Sequence, residues 1–279
     1  MLCSKEKPRF RFQGIGMTYL RSAIFQIVFY LSFIVQMIIF TPIYFLLPRK
    51  PAYRIPKNWA ASNLWLAKHI LGLTFEIEGM EKLPHTGFIL APKHQSFWDT
   101  FALIPSLQDP VYILKRELLW IPLFGWYAAK QDMIPINRAD KGRAIPKMLV
   151  RASEELSKGR ELIIYPEGTR KAPGAPPDYK YGIARLYTDL KVPVVPVVMH
   201  PGLFWPRHGF KRQSGHFKVR FLDPIMPGMT TDAFFKHLIE VTEKASDELL
   251  VETVRDNPQI DVPSSARRRL EELAAAQAA

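Results

Sequence analysis

The sequence feature that most constrains this chain is a run of 26 residues, 22–47, without a charged side chain. A helix of this length can cross a hydrocarbon core of about 30 Å. The run lacks the small-residue cleavage site of a secretory signal, so we interpret it as a retained membrane anchor. Pro42 lies inside the run and is expected to kink or end the helix, which leaves 24–41 as the regular part.

The sequence leaves open how this segment meets a bilayer. Basic residues flank both ends of the run, so the charge distribution assigns no orientation. A second apolar stretch, 59–73, carries Lys68 and His69 and is typical of an amphipathic interfacial helix, although an ordinary core helix also fits. One spanning helix and a re-entrant helical hairpin on a single leaflet are both compatible with this pattern.

From residue 74 onward, apolar strand-like segments alternate with helix-length segments. The predicted strands are residues 74–79, 87–92, 111–115, 132–136, 161–166, 192–199 and 217–222. One segment between strands has five apolar residues on a single helical face, as a helix packed on a sheet requires: Ile145, Met148, Leu149, Ala152 and Leu156. The pattern predicts an α/β fold, in which helices cover a mostly parallel sheet of about seven strands and a membrane-associated helical segment precedes it. We expect three regions: an anchor with interfacial helices at 1–73, an α/β domain at 74–262 and a C-terminal tail at 263–279.

The composition narrows the choice of partners. Lys and Arg number 38 against 26 Asp and Glu, and the net charge of +12 attracts nucleic acid, anionic lipid headgroups or small phosphorylated substrates. The single cysteine, Cys3, excludes an intramolecular disulfide framework and a cysteine metal cluster. The seven histidines never show the His-Glu-x-x-His spacing, so we expect no metal. A serine hydrolase built on Ser96 would lack the Gly-x-Ser-x-Gly elbow.

The first catalytic candidates follow the predicted strand 87–92. His94 and Asp99 lie five positions apart, or roughly 140° around one continuous helix, so they meet only if the chain turns between them. A strand-to-helix junction supplies such a turn, and His94 would then be a general base that the Asp99 carboxylate orients. The alternative is that Asp99 caps the next helix and His94 is a surface residue.

The second candidate is the segment Glu167-Gly168-Thr169-Arg170, at the end of the predicted strand 161–166. Glycine lets backbone N–H groups approach a ligand, threonine offers a hydroxyl, and the guanidinium suits phosphate oxygens. Because functional groups gather at the carboxyl ends of parallel strands, cations that follow other strands could converge on the same anion: Lys115 and Arg138. These residues predict an anion site, unless the segment is only a polar surface turn.

Four motifs in chain order resemble those of the glycerolipid acyltransferase family, specifically its 1-acylglycerol-3-phosphate acyltransferases. They are HQSFWD at 94–99, KREL at 115–118 with Pro122 and Gly125, YPEGTR at 165–170 and VPVVPV at 192–197, with INR at 136–138 after the second. They lie within residues 83–199, less than half of the chain. Asn137 is a departure, because the family commonly has an acidic residue before the arginine.

The resemblance implies an enzyme that moves a fatty acyl group from a thioester, on coenzyme A or acyl carrier protein, to the sn-2 hydroxyl of lysophosphatidic acid. The product would be phosphatidic acid for phospholipid biosynthesis, and no cofactor is implied beyond the donor. His94 would be the general base on the hydroxyl, and Asp99 would hold its imidazole. The substrate-binding residues would be Lys115, Arg138, Glu167, Gly168, Thr169 and Arg170, among which Glu167 would order the loop more than touch phosphate.

The resemblance also implies a membrane protein, at the cytoplasmic face of a bacterial inner membrane, with membrane lipid as its partner and no nucleic acid. Two alternatives stay open. The chain could act on another acceptor, such as glycerol 3-phosphate, a lyso-ornithine lipid or another lysophospholipid. It could also be a non-enzymatic, membrane-tethered binding protein, whose basic residues would form one exposed stripe rather than lie at strand ends beside a base.

Overall fold

A computed structural model of the chain describes residues 15–137 and 144–278. The strands in these residues are Leu73–Glu78 (β1), Phe88–Pro92 (β2), Val111–Lys115 (β3), Ile134–Ile136 (β4), Glu161–Ile163 (β5), Val194–Met199 (β6) and Gly215–Phe221 (β7). Within the described ranges they form one seven-stranded sheet in the order β1-β7-β6-β2-β5-β3-β4. Neighbouring strands run parallel except for β6 and β7. The predicted α/β fold with a mostly parallel sheet is confirmed.

The helices of the described residues precede, connect and follow these strands. They are α1 (Ile15–Leu46), α2 (Arg49–Ala52), α3 (Arg54–Leu66), α4 (Asp99–Ala102), α5 (Phe124–Lys130), α6 (Ala144–Ser157), α7 (Gly182–Leu190), α8 (Thr231–Asp256) and α9 (Ser264–Ala278). The predicted apolar face of α6 buries Met148, Ala152 and Leu156 against the sheet. α9 is tied to α8 by an ion pair of 2.6 Å between Arg269 and Asp247. The three predicted regions of the chain stay a prediction.

The central strands are buried on both faces, which is why they are continuous apolar runs rather than alternating ones. Successive side chains of a strand point to opposite sides. Accordingly, Leu90 packs in a cluster with Trp98 and Phe217, whereas its neighbour Ile89 packs in another with Met148. Because β2 and β5 are parallel neighbours, the segments that follow them emerge at the same edge of the sheet.

α1 lies along the α/β domain instead of projecting from it. Near its start, the hydroxyl of Ser22 accepts a hydrogen bond of 2.8 Å from the backbone N–H of Arg212. In its middle, Phe29 is buried in the same apolar cluster as β2 and β6 residues. Near its end, the ring of Tyr44 stacks on that of Tyr127 with centroids 3.8 Å apart. One face of this helix therefore belongs to the core of the domain.

The opposite face of α1 is apolar and exposed. Among its exposed side chains are Leu20, Ile24, Ile27, Leu31, Ile34, Val35, Ile38, Ile39, Ile43 and Leu46. Over the described ranges, α1 is the one helix long and apolar enough to cross a membrane. α1 is therefore the candidate membrane segment that the sequence predicts.

Pro42 is expected from the sequence to kink or end the helix, and an end at this position is wrong, because α1 continues to Leu46. Proline removes one backbone donor and disfavours the preceding turn. Here tertiary contacts on both sides of the proline hold the helical path. The hydroxyl of Thr41 lies 3.1 Å from that of Tyr127, and the hydroxyl of Tyr44 donates to the carbonyl of Tyr127 at 2.9 Å.

The second apolar stretch forms α3 and a turn of π-helix at Ala67–Leu71. This stretch is partly buried. The ring of Trp59 contacts those of Phe33 and Phe101, with centroids 5.5 and 5.3 Å apart, whereas Trp65 is 53% exposed. The stretch thus has one face in the core and one face outside, as the amphipathic pattern predicts.

A buried ion pair joins the end of α6 to the start of β5. The guanidinium of Arg160 contacts the carboxylate of Glu155 at 2.6 Å, and both side chains are almost fully buried. Burial raises the pKa of Glu155, but hydrogen bonds from Lys158 and Arg160 outweigh it and leave the pKa lowered. Arg160 also donates to the carbonyls of Pro110 and Gln131, so one side chain links three segments.

Replacing Glu155 by alanine should lower the free energy of unfolding by about 3 kcal/mol. The substitution removes the nearer and fully buried of the two carboxylates that pair with Arg160 and leaves only Asp109, at 3.3 Å. Chemical denaturation in detergent, followed by circular dichroism, measures the loss. The matched control is Glu154→Ala on the same helix, whose half-exposed carboxylate pairs with Arg151 and should contribute under about 1 kcal/mol. Equal losses in the two variants would contradict this account.

Candidate active site

His94 and Asp99 meet at the turn that follows β2. The Nδ1 atom of His94 lies 3.2 Å from Oδ1 of Asp99, and the Asp99 side chain is fully buried while that of His94 is 14% exposed. With Nδ1–H donating to the carboxylate, the imidazole keeps Nε2 as an acceptor. This is the geometry of a general base held by an orienting carboxylate.

Asp99 also holds the turn itself. Its second oxygen, Oδ2, accepts hydrogen bonds from the backbone N–H groups of Gln95 at 2.7 Å and Ser96 at 3.0 Å. No side-chain cap is made at the start of α4, within the part of the chain described. The alternative in which Asp99 only caps the following helix is therefore wrong. The carboxylate closes the loop that brings His94 back to it.

Tyr165 packs against the imidazole from the end of the neighbouring strand. Its ring stacks on that of His94 with centroids 4.0 Å apart and an interplanar angle of 23°. Its hydroxyl donates to the backbone carbonyl of Asp99 at 2.8 Å. Burial raises the pKa of Tyr165 well above its usual value, so the phenol stays a neutral donor. This stacking limits the rotation of the base.

Glu167 supports the backbone of the base through a buried ionic chain. Its Oε2 accepts from the N–H of His94 at 3.0 Å, and its Oε1 lies 3.4 Å from Nζ of Lys93. Lys93 also pairs with Glu243 of α8, whose carboxylate accepts from the hydroxyl of Tyr179 at 2.7 Å. Glu167 therefore contacts the loop of the base, and the chain of contacts connects this loop to α8.

A second buried contact with α8 runs through His200. Its Nε2 donates to the carbonyl of Ser246 at 2.8 Å, and its Nδ1 accepts from the side-chain amide of Gln95 at 3.0 Å. Burial lowers the pKa of His200 to about 4, against the opposing effect of its hydrogen bond to Ser246. His200 is thus neutral in the folded protein near pH 7. His200 thereby fixes Gln95, whose backbone N–H donates a hydrogen bond to Asp99.

His94 lines a cavity of about 1020 Å³. Most of the wall is apolar or aromatic and comes from α1, α3, α4, β3 and α6, including Phe33, Met37, Trp59, Phe101, Tyr112 and Met148. The lining also includes polar and charged residues, among them Lys115, Asn137, Thr169, Asp178 and Lys180. The cavity therefore combines an apolar chamber with a base and two lysines.

The predicted anion-site residues have different positions relative to this cavity. Lys115, Glu167, Gly168 and Thr169 line it. Arg170 follows directly and is half-buried, and its carbonyl accepts a hydrogen bond of 3.0 Å from Arg207. Arg138 lies outside the described residues.

Several residues of the site were not predicted from the sequence. Lys180 lines the cavity and, with Lys171, hydrogen-bonds Asp178, which lowers the pKa of that carboxyl to about 2. Glu243 and His200 reach the loop from positions more than 100 residues away. Lys93 directly precedes His94 in the sequence. Of these residues, it is the one that a local sequence signal could have identified.

The site lies within a segment that known proteins share. A family model described as Acyltransferase matches residues 74–200. Over 175 residues the chain is 33% identical to the 1-acyl-sn-glycerol-3-phosphate acyltransferase of Pseudomonas aeruginosa, covering 62% of this chain and 68% of that protein. Over 171 residues it is 31% identical to the mouse 1-acyl-sn-glycerol-3-phosphate acyltransferase alpha, covering 60% of each. The crystal structure of the 1-acyl-sn-glycerophosphate (LPA) acyltransferase PlsC from Thermotoga maritima has a similar fold, with a TM-score of 0.69 at 22% identity, covering 82% of this chain and 96% of that one.

The buried imidazole of His200 should make stability depend on pH. An unfolded histidine has a pKa of about 6.5, so between pH about 6.5 and 4 the unfolded chain binds a proton that the folded chain does not. The free energy of unfolding should therefore fall as the pH is lowered through that window, by roughly 3 kcal/mol in all. Chemical denaturation at several pH values measures the slope.

His200→Gln should flatten this slope, because glutamine does not titrate. Gln95→Met is the matched control, since it removes the hydrogen-bond partner and leaves the imidazole, and it should keep the slope. If His200→Gln retained the wild-type slope, another group would be responsible.

Proposed function

The chain belongs to the acyltransferase family, and from that premise we propose that it transfers a fatty acyl group from an acyl thioester to the sn-2 hydroxyl of 1-acylglycerol 3-phosphate. Membership of a family of enzymes excludes the non-enzymatic binding protein. The observation that carries the proposal is the oriented base, His94, in the wall of a cavity whose mostly apolar lining also includes Lys115 and Lys180. The names of the relatives support the choice of acceptor.

His94 acts on the hydroxyl of the acceptor. As the hydroxyl oxygen attacks the thioester carbonyl carbon, Nε2 takes the hydroxyl proton and Asp99 stabilises the imidazolium that forms. The carbon–sulfur bond then breaks, and the leaving thiolate takes the proton from the imidazolium. The reaction needs no covalent acyl-enzyme. Ser96 is a poor nucleophile here, because its hydroxyl is buried and donates to the carbonyl of Trp205 at 2.7 Å.

The cations position the acceptor by its phosphate. Thr169 offers a hydroxyl and Gly168 a close backbone approach, since its φ of 66° suits glycine. Lys115 and Lys180 line the same cavity. Arg170 directly follows Thr169, which also lines it. Binding energy from the phosphate then holds the hydroxyl near His94, which lowers the entropic cost of the transfer.

The apolar chamber holds an acyl chain. The whole cavity, with its polar part included, has a volume of about 1020 Å³, close to the upper limit of the roughly 300–1,000 Å³ typical of small-molecule sites. Its mostly aromatic and aliphatic lining excludes water from the thioester and suits a hydrocarbon. Coenzyme A or acyl carrier protein serves as the acyl carrier, and the reaction requires no further cofactor.

α1 lies in one leaflet of the membrane instead of crossing it. Its contacts with the domain extend from Ser22 to Tyr44, which is about 33 Å of helix. A segment packed on a water-soluble domain over that length cannot also cross a hydrocarbon core of about 30 Å. With its exposed apolar face in the lipid, the helix places the cavity at the surface where lysophosphatidic acid resides. We place the enzyme at the cytoplasmic face of a bacterial inner membrane, because acyl thioesters are available on that side.

The detergent-purified enzyme should form phosphatidic acid from lysophosphatidic acid and acyl-coenzyme A or acyl carrier protein thioester. His94→Ala should lower the turnover number by about 10²- to 10⁴-fold, the usual contribution of a general base. The measurement is product formation, resolved by chromatography, at saturating substrate.

Two controls make this test specific. Ser96→Ala should keep the turnover number within about tenfold of the wild type, since a general base and not a serine nucleophile carries the reaction. Near-normal turnover by His94→Ala would remove the proposed base. Product from glycerol 3-phosphate or a lyso-ornithine lipid, with none from lysophosphatidic acid, would change the acceptor but keep the chemistry.

Arg170→Ala should raise the Michaelis constant for lysophosphatidic acid by about tenfold or more and lower the turnover number less, because it removes a charge-assisted contact with the phosphate. Steady-state kinetics with varied acceptor separate the two constants. The control is Arg185→Ala on α7, which removes a 53% exposed arginine that pairs with Asp189. An unchanged Michaelis constant in Arg170→Ala would exclude this residue from the phosphate site.

A further inference from the structure

An exposed aromatic surface lies between β3 and β4. Its members are Leu118, Trp120, Ile121 and Trp126, with exposed fractions of 37, 67, 46 and 58%; we call it the tryptophan surface. Two tryptophans exposed to this extent on one connection are unusual on a surface that faces only water. Tryptophan favours the boundary between lipid and water, because it combines a large apolar ring with one N–H donor.

We propose that the tryptophan surface is a second membrane contact, which enters the headgroup layer of an anionic bilayer beside the cavity. This inference rests on the proposed function, because it assigns the route by which the lipid substrate reaches the proposed active site. It adds to α1 a contact that belongs to the α/β domain.

The tryptophan surface is continuous with the exposed end of α1. Trp126 and Lys130 lie one turn apart on α5, and so on the same side of that helix. The ammonium of Lys130 donates to the carbonyls of Phe45 at 3.0 Å and Leu47 at 2.7 Å, the last residues of the apolar run. Phe45 is itself 43% exposed. A bilayer that covers the end of α1 therefore reaches Trp126 as well.

The same connection also forms part of the cavity. Leu118, Ile121 and Phe124 line the cavity that contains His94. In the sequence, Trp120 lies between Leu118 and Ile121, and Trp126 follows Phe124 by two positions. The two tryptophans are the more exposed residues of this connection. One connection thus has an inner side toward the acyl chamber and an outer side for lipid. An acyl chain that leaves the bilayer here meets the apolar side chains of Leu118, Ile121 and Phe124.

The charges around the tryptophan surface suit an anionic bilayer. The guanidinium of Arg116 lies over the ring of Trp120, 5.8 Å from its centroid. In the chain, Lys115 precedes the surface and Lys130 follows it. Lys115 pairs with Glu117, an acidic residue of this connection, at 3.5 Å. Long cationic side chains can keep their stems in the apolar layer while the charges reach lipid phosphates. A contact with a second copy of this chain is disfavoured, because it would bring these cations close to another chain with a net charge of +12.

The turn that presents the tryptophans is tightly packed. A Cβ atom on Gly125 would meet the carbonyl oxygen of Leu119 at 1.9 Å, so the two ends of the turn are in close contact. The backbone N–H of Gly125 donates to the carbonyl of Ile121 at 2.8 Å. Leu123 adopts a φ of 64°, which a branched side chain rarely does. The tryptophans are therefore held on a fixed support.

The first experiment locates the surface relative to lipid. Cys3→Ser removes the one cysteine of the sequence, and Trp126→Cys then carries an environment-sensitive nitrobenzoxadiazole label. Adding vesicles of phosphatidylcholine and phosphatidylglycerol in equal amounts should shift its emission to the blue and increase it. The control is Met226→Cys in the same background. Met226 is 61% exposed and follows Ile225, which pairs with Val194 at the start of β6. The start of β6 lies at the end of the sheet opposite to the carboxyl end of β3, from which the tryptophan connection leaves. The emission of this control label should not change.

The second experiment measures the consequence. Trp120→Ser with Trp126→Ser should lower the partition coefficient for these vesicles about tenfold or more, since interfacial apolar area is lost. Acyl transfer to lysophosphatidic acid in vesicles should fall with it. Transfer in detergent micelles should stay at the wild-type rate, which also shows that the variant is folded. Met226→Ser should change neither quantity.

The outcomes separate the possible occupants of this surface. No change at the Trp126 label, while the protein still binds vesicles, would overturn the proposal. If apo acyl carrier protein then protected that label, the surface would be a docking site for the carrier. If the label entered lipid but no acyl transfer occurred in detergent with any lysolipid, the membrane contact would stand and the proposed function would fail.

Discussion

The burial of the Asp99 carboxylate is the constraint on which the site depends. A charge removed from water must be satisfied by hydrogen bonds and an ionisable partner, and here two backbone N–H groups and His94 supply them. The same contacts close the turn after β2, so the geometry of the base and the path of the chain have one cause. Any substitution that frees this carboxylate would also open the turn.

The turn is in addition held from the far side of the domain. Lys93 and Glu167 connect the backbone of the base to Glu243, and His200 connects Gln95 to the next turn of α8. Because these groups are buried and paired, their positions are fixed by the packing of α8 on the sheet. The precision of the base thus depends on a helix that contributes nothing to the cavity wall.

α1 connects this chemistry to the membrane. One face of the helix is part of the hydrophobic core and of the cavity wall, through residues such as Phe29 and Phe33. The other face is apolar and exposed. From its composition, a helix with two apolar faces is predicted to be a transmembrane segment. Composition does not show whether one face is covered by the protein or how far such a contact extends along the helix.

The sequence by itself determined the strands, the apolar face of α6, the proximity of His94 and Asp99, and the position of residues 167–169 beside them. These features depend on residues close together in the chain and on the edge where parallel strands end. The tertiary structure alone decided that the helix continues through Pro42, that α1 packs along the domain, and that Lys180 and Glu243 join the site. Each of these depends on contacts between residues distant in the chain, for which local spacing carries no signal.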